Sequence, residues 1–245
     1  MIGEIYPQML KAIKDYSLIA ANDKILIGVS GGKDSLSLLT LLNEFKLRSK
    51  IDFEMFACHV RTDFHCANCM HAELLSAIFE RSGIKYTFKD IKVLDESGKT
   101  DCFWCSWNKR KALFSLAREL GCNKIALGHH KNDIAETVLM NLFFHGQISA
   151  MCPRQELFKG KITIIRPLCY VEEELTLRFA KECGFPAKFC RCPFGRNSVR
   201  KDAKELINTL QNHTADIDVS ANIFQSIAAL KKESEKPDSD ELIPC

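Results

Sequence analysis

Apolar residues recur along this chain with two alternating periods. Short runs rich in β-branched residues, at 25–29, 53–60, 84–90, 124–127 and 162–165, read as buried strands. Between them, apolar residues fall three and four apart. Leu38, Leu39, Leu42 and Phe45 share one helical face, and Leu113, Leu116, Ala117 and Leu120 share another over 106–120, where Gly121 ends it. A helix over 132–145 turns Ile134, Val138, Leu142 and Phe143 inward. Further helices are predicted over 2–20, 73–82, 172–183, 198–211 and 221–232, and a loop over 92–101. The alternation predicts an α/β fold, a parallel sheet with helices on both faces. Ligands of such a sheet bind beyond the carboxyl ends of its strands.

The first strand runs into Ser30-Gly31-Gly32-Lys33-Asp34-Ser35, and a helix follows. A strand, a glycine turn and a helix N-terminus together make an anion site, because unpaired backbone N–H groups and the helix dipole point at a phosphate. Two glycines admit close backbone approach, Ser30 and Ser35 add hydroxyls, and Lys33 adds charge. The string is not a Walker A loop. Ile27 stands where that motif has its first glycine, and Asp34 follows the lysine in place of Ser or Thr. Nor does it continue into a dinucleotide fingerprint. It resembles the PP-loop of the ATP pyrophosphatases, which cleave ATP between the α and β phosphates and adenylate a substrate.

Composition narrows the setting. The 245 residues suffice for one sizeable α/β domain with a small appendage. No apolar run reaches the length of a membrane span, and the N-terminus lacks a signal-peptide layout. A cytoplasmic protein without a membrane partner is therefore expected. A net charge of +3 permits a nucleic-acid partner without demanding one. Twelve cysteines in that compartment argue for metal or redox chemistry over a disulfide framework.

The spacing of the cysteines sorts them. Cys102-Phe103-Trp104-Cys105 opens a predicted helix, which suits redox chemistry or a metal. A second group, Cys190-Arg191-Cys192-Pro193, lies far downstream. Three thiolates on one site suit an iron–sulfur cluster, whereas a closed structural zinc would use all four of Cys102, Cys105, Cys190 and Cys192. Spacing leaves both readings open. Lys109, Arg110, Lys111, Arg191, Arg196, Arg200, Lys201 and Lys204 follow the cysteines, either tracking RNA phosphates or forming a solvated charged surface. Trp104 and Trp107 either pack the helix or stack a base.

Four segments occur in order: residues 30–35, the Cys102-x-x-Cys105 pair, Gly128-His129-His130-Lys131-Asn132-Asp133-Ile134-Ala135-Glu136-Thr137, and Ile165-Arg166-Pro167-Leu168. Together they resemble the tRNA 2-thiocytidine synthetase family, in the cluster-dependent tRNA-thiolation branch of the PP-loop enzymes, over roughly residues 5–230. The resemblance implies a tRNA sulfurtransferase that uses ATP and Mg²⁺ to adenylate a pyrimidine carbonyl oxygen. Sulfur held on a [4Fe–4S] cluster then replaces that oxygen. The implied product is 2-thiocytidine at tRNA position 32, with 2-thiouridine formation, or a PP-loop adenylating ligase with structural zinc, as alternatives.

The resemblance also assigns residues. Cys102, Cys105 and Cys192 would ligate the cluster. Ser30, Gly31, Gly32, Lys33, Asp34, Ser35, His59, Gly128, His129 and Asp133 would bind the nucleotide, and Lys33, Asp34, Lys109 and Asp133 would serve catalysis. Expected partners are tRNA and a sulfur donor such as a cysteine desulfurase or sulfide, with a homodimer allowed for. The chain then divides into an N-terminal helix over 1–20, a PP-loop ATP pyrophosphatase domain with the Fe–S site over 21–211, a C-terminal helix over 212–232 and a disordered tail over 233–245.

Three departures stand out. The family's second strand usually ends with an acidic residue where this chain has Arg61, and Asp63 follows two residues later. The familiar Asp-Asp pair after the histidines is Asn132-Asp133, which leaves Asp133 as the carboxylate. An added pair, Cys66 and Cys69, with His65 and His71 beside it, would bind zinc, receive sulfur, or sit as incidental thiols on a loop.

Overall fold

This computed structural model describes residues 3–63, 71–185, 199–214 and 216–234. His65, Cys66, Cys69, Cys190, Arg191, Cys192, Arg196 and the tail beyond 234 fall outside these residues. In chain order the elements are α1 (Ile5–Asp15), β1 (Lys24–Gly28), α2 (Lys33–Arg48), β2 (Glu54–Thr62), α3 (His71–Ser82), β3 (Lys85–Ile91) and α4 (Cys102–Glu119). They continue with β4 (Lys124–Leu127), α5 (Lys131–His145), β5 (Arg154–Leu157), β6 (Ile162–Ile165), α6 (Glu173–Glu182), α7 (Val199–His213) and α8 (Val219–Ser234). Among the described residues no helix is long and apolar enough to cross a membrane.

The chain forms two compact units, one of Met1–His130 and Cys152–Asn197, the other of Lys131–Met151 and Ser198–Cys245. The first holds a six-stranded sheet in the order β3-β2-β1-β4-β6-β5. All neighbouring strands run parallel except β5 against β6. Leu26 of β1 packs with Leu113, Leu116 and Ala117 of α4 and with Cys58, Ile125 and Ile162. Ile25 and Ile27 point the other way by strand alternation, and they are fully buried too. A strand apolar on both faces is what a sheet covered by helices on both sides requires. The expected fold class is the one observed.

Connections from β1 lead to β2 on one side, whereas β4 lies on the other. The crevice beyond the carboxyl ends of β1 and β4 is therefore the switch point where α/β folds place ligands. The segments 29–35 and 128–130 both leave from it.

Some expectations need correction. The strand predicted as fifth is the sixth, because β5 precedes it. Arg154, Gln155 and Glu156 are exposed, so this edge strand carries no alternating apolar signal, and its charges protect an open edge. The first helix stops at Asp15 rather than 20, since Ser17 takes a left-handed φ of 48° that breaks the helical path. The fourth helix starts at Cys102, where the thiol pair was expected to open it and four residues before the apolar run at 106–120, because the Asp101 side chain accepts from the Trp104 N–H at 2.7 Å and caps it there.

In the second unit α5, α7 and α8 pack around Ala135, Leu139, Ala203 and Ile207. Lys131 pairs with Asp218, which also accepts the Ala221 N–H at 2.8 Å at the start of α8. Ile134 and Val138 are buried as expected, but Leu142 and Phe143 are exposed. Buried packing along α5 ends at Leu139, one turn before the periodicity does.

Candidate functional site

The loop after β1 departs from a fixed point. The Val29 N–H donates to the Cys58 carbonyl of β2 at 2.8 Å. His59 Nδ1 donates to the Val29 carbonyl at 2.7 Å, and since a carbonyl only accepts, the ring hydrogen sits on Nδ1. Gly31 then takes φ +85°, a region that strains any residue with a Cβ. Gly32 is the N-cap of α2 and has no side chain with which to cap it, so the first-turn N–H groups remain directed at whatever lies beyond. Ser30 Oγ accepts the Gly32 N–H at 3.3 Å and donates to Ser35 Oγ at 3.1 Å, which donates to the Gly32 carbonyl at 2.9 Å. The two serines thus brace the loop as well as line it.

Lys33 and Asp34 are held from a distant element. Lys33 Nζ lies 2.8 and 2.9 Å from the two Asp34 carboxylate oxygens and 3.4 Å from Glu173 Oε1. Thr176 Oγ1 donates to Asp34 Oδ1 at 2.6 Å, and His130 Nε2 lies 3.9 Å from the same oxygen. Glu173 and Thr176 belong to the first turn of α6, and the sequence reading missed both. Gly128 works by its absence of bulk. A Cβ there would meet the carbonyl carbon and oxygen of Asp34 and the Cα of Ser35, each at 3.0 Å, so only glycine lets the exit of β4 touch the first turn of α2.

His129 is held by the Ile165-Arg166-Pro167-Leu168 segment. Arg166 Nε donates to His129 Nδ1 at 3.3 Å, which places the ring hydrogen on Nε2. Arg166 is buried, its Nη1 donates to the Cys152 carbonyl, and burial lowers it to about 10. It therefore stays cationic at neutral pH. The resemblance contained this arginine but gave it no role.

The thiol pair opens α4. Cys102 is the first helical residue after the Asp101 cap and Cys105 lies one turn on, so both occupy one face. Cys102 is exposed and Cys105 half-buried. Burial pushes Cys58 and Cys122 up to about 11 and Cys169 to about 12, and it raises Cys183 as well. Lys109 sits half-buried further along α4. Among the described residues no three His, Cys, Asp or Glu side chains are grouped to hold a metal ion. Cys192, the third expected ligand, lies outside those residues.

Asp133 belongs to the first turn of α5, in the second unit. Arg200 Nη1 lies 3.0 Å from its Oδ1, and Arg200 Nε lies 3.9 Å from Glu136 Oε2. The departures at the end of β2 have structural partners. Arg61 forms a two-pronged pair with Asp90 of β3, at 2.7 and 2.6 Å. Asp63 accepts the Val93 N–H at 2.8 Å and the Leu94 N–H at 3.3 Å, which holds its carboxyl below the usual range and ties down the segment after β3.

Comparison with known proteins follows the same lines. The model of a PP-loop domain family matches residues 4–186. The chain is 37% identical over 209 residues to the tRNA-cytidine(32) 2-sulfurtransferase of Geobacter metallireducens, covering 82% of this chain and 80% of that protein. It is 39% identical over 208 residues to the protein of the same name from Syntrophotalea carbinolica, covering 82% and 79%. Among solved structures, the U34-tRNA thiolase NcsA from Methanococcus maripaludis, with its [4Fe-4S] cluster, superposes with a TM-score of 0.78. That alignment has 23% identity and covers 94% of this chain and 80% of that one, a likeness of fold.

Proposed function

This chain belongs to the tRNA-cytidine(32) 2-sulfurtransferase family of PP-loop proteins, and we propose that it forms 2-thiocytidine at tRNA position 32 with sulfur held on a [4Fe–4S] cluster. The observation that carries this reading is the loop at 30–35. A braced, uncapped helix N-terminus with an ammonium beside it is built for the phosphates of ATP.

The chemistry must turn a carbonyl oxygen into a leaving group. Adenylation of that oxygen, with pyrophosphate departing, achieves it. Lys33, now held by Asp34 and Glu173, would exchange those carboxylates for the phosphate oxygens, where its charge counters the negative charge that builds as pyrophosphate leaves. The α2 N–H groups add fixed positive dipole without reorganising. His129, with its hydrogen fixed on Nε2 by Arg166, is a donor of known tautomer. Asp34 offers carboxylate oxygens that fit Mg²⁺, a ligand preference of hard cations. By the resemblance Asp133 and Lys109 join the reaction as acid and basic groups.

Cys102 and Cys105 fit an iron–sulfur site: two thiols, one turn apart, at a helix start that reaches the surface. With Cys192 as third ligand, a bound cluster would supply sulfide-level sulfur to the activated carbon, AMP leaving with the former carbonyl oxygen, while keeping free hydrosulfide out of solution. Arg200 pairs with Asp133 and holds that carboxylate in one rotamer.

Lys33→Ala tests the loop assignment. AMP formation should fall by on the order of a hundredfold or more, with iron content and thermal unfolding unchanged. Near-normal AMP formation at saturating ATP would contradict it.

A further inference from the structure

The two indoles of α4 do not pack the helix. Among the described residues α4 fully buries side chains only from Ala112 onward, and of its first ten positions Cys105, Asn108 and Lys109 are half-buried and the others exposed. Trp104 and Trp107 are 48% and 42% exposed and Phe103 is 72% exposed. The indoles stack on each other, with ring centroids 5.6 Å apart and planes 11° from parallel. Lys111, one turn beyond Trp107, places its ammonium 5.3 Å from the Trp107 ring centroid. Along the helix the order is therefore Trp104, Trp107, then a cation, all on one face, and helical spacing turns that face away from the one that carries Cys102 and Cys105.

Exposing three aromatic side chains within one short stretch keeps apolar area in water with no return from folding. A stack of this kind matches one sort of ligand closely. Unpaired nucleobases offer a flat π-face to an indole, whereas paired bases keep theirs inside the duplex. Lys109, Arg110 and Lys111 follow at once, which adds the positive charge that a phosphate backbone requires. We infer that the Trp104–Trp107 stack is a platform on which an unpaired base of the tRNA loop rests. This rests on the tRNA reading above. It adds the residues that recognise the loop.

The test uses anaerobically prepared full-length protein and a fluorescently labelled anticodon stem–loop RNA, with a blunt duplex of equal length beside it. Trp104→Ala should weaken stem–loop binding by about tenfold and raise KM for tRNA. It should leave KM for ATP, iron content and the weak duplex binding as they were. Trp104→Phe keeps a ring and should recover most of the affinity. Because the chain holds two tryptophans, 104 and 107, stem–loop addition should also quench the intrinsic tryptophan emission. Unchanged affinity, KM and emission in a preparation that still thiolates tRNA would overturn the platform and leave the thiolase reading standing. A defect confined to sulfur uptake from a donor protein would overturn it as well, in favour of a protein-docking surface. If the unaltered protein neither binds nor thiolates tRNA, the functional reading itself fails and the platform falls with it.

Discussion

Replacing Gly128 by alanine should damage catalysis through a contact that involves no catalytic side chain. The added methyl would lie 3.0 Å from the Asp34 carbonyl carbon and oxygen and from Ser35 Cα. Nonbonded carbon atoms settle at about 3.5–4.0 Å, so the first turn of α2 must retreat by roughly half an ångström. All three neighbours are backbone, and no rotamer change relieves them. Overpacking of this sort costs about 1–3 kcal/mol of stability. The kinetic cost should be separable. The retreating turn carries Lys33 and the N–H groups proposed to meet ATP, and misplacement on the order of 1 Å can cost about a hundredfold. We expect kcat/KM for ATP to fall about tenfold or more, equivalent to about 1.4 kcal/mol.

Gly28→Ala is the matched control. Its Cβ would meet Leu127 Cδ2 at 2.9 Å and Leu113 Cδ1 at 3.1 Å, both side-chain methyls that can turn aside. This variant should lose some thermal stability and keep its KM for ATP. AMP release at varied ATP, with thermal unfolding of both variants, decides the matter. A Gly128→Ala enzyme with unaltered kcat/KM, or a Gly28→Ala enzyme equally impaired, would refute the close-approach argument.

Two further outcomes are expected. Single alanine variants of Cys102, Cys105 and Cys192, prepared without oxygen, should each lose bound iron and acid-labile sulfide, while Cys190→Ala should retain them. Equal loss in Cys190→Ala would point to a closed four-cysteine site. In the folded protein Cys58, Cys122 and Cys169 should resist iodoacetamide at mildly alkaline pH, because burial raises their pKa values from near 9 to about 11, 11 and 12. That cuts their thiolate fraction by roughly a hundredfold or more, to recover as pH climbs toward those values or on unfolding, as peptide mass mapping will read.

What the sequence made legible was what lies close along the chain. Residues 25–35 carry their own strand, turn and helix signals, and the observed loop follows them. The partners of that loop were not legible. Thr176 reaches Asp34 across 142 positions, and a threonine or glutamate at a helix start reads as ordinary capping chemistry. Arg61 stood only as a departure from the family's acidic residue, and its partner Asp90, on the neighbouring strand, was visible only in the fold. β5 escaped because an exposed edge strand needs no apolar alternation. Periodicity also ran one turn too far at Leu142 and Phe143, since it records which face of a helix is apolar but not where its neighbours end.

The central claim is that this chain puts sulfur on a cytidine. Nucleosides from tRNA incubated anaerobically with the iron-loaded protein, ATP, Mg²⁺ and sulfide, separated and weighed by mass spectrometry, test it directly. The account predicts 2-thiocytidine, absent when ATP is omitted or when Lys33→Ala replaces the unaltered protein. Thiolation of uridine with cytidine untouched, or AMP released with no sulfur gained by the tRNA, would contradict it.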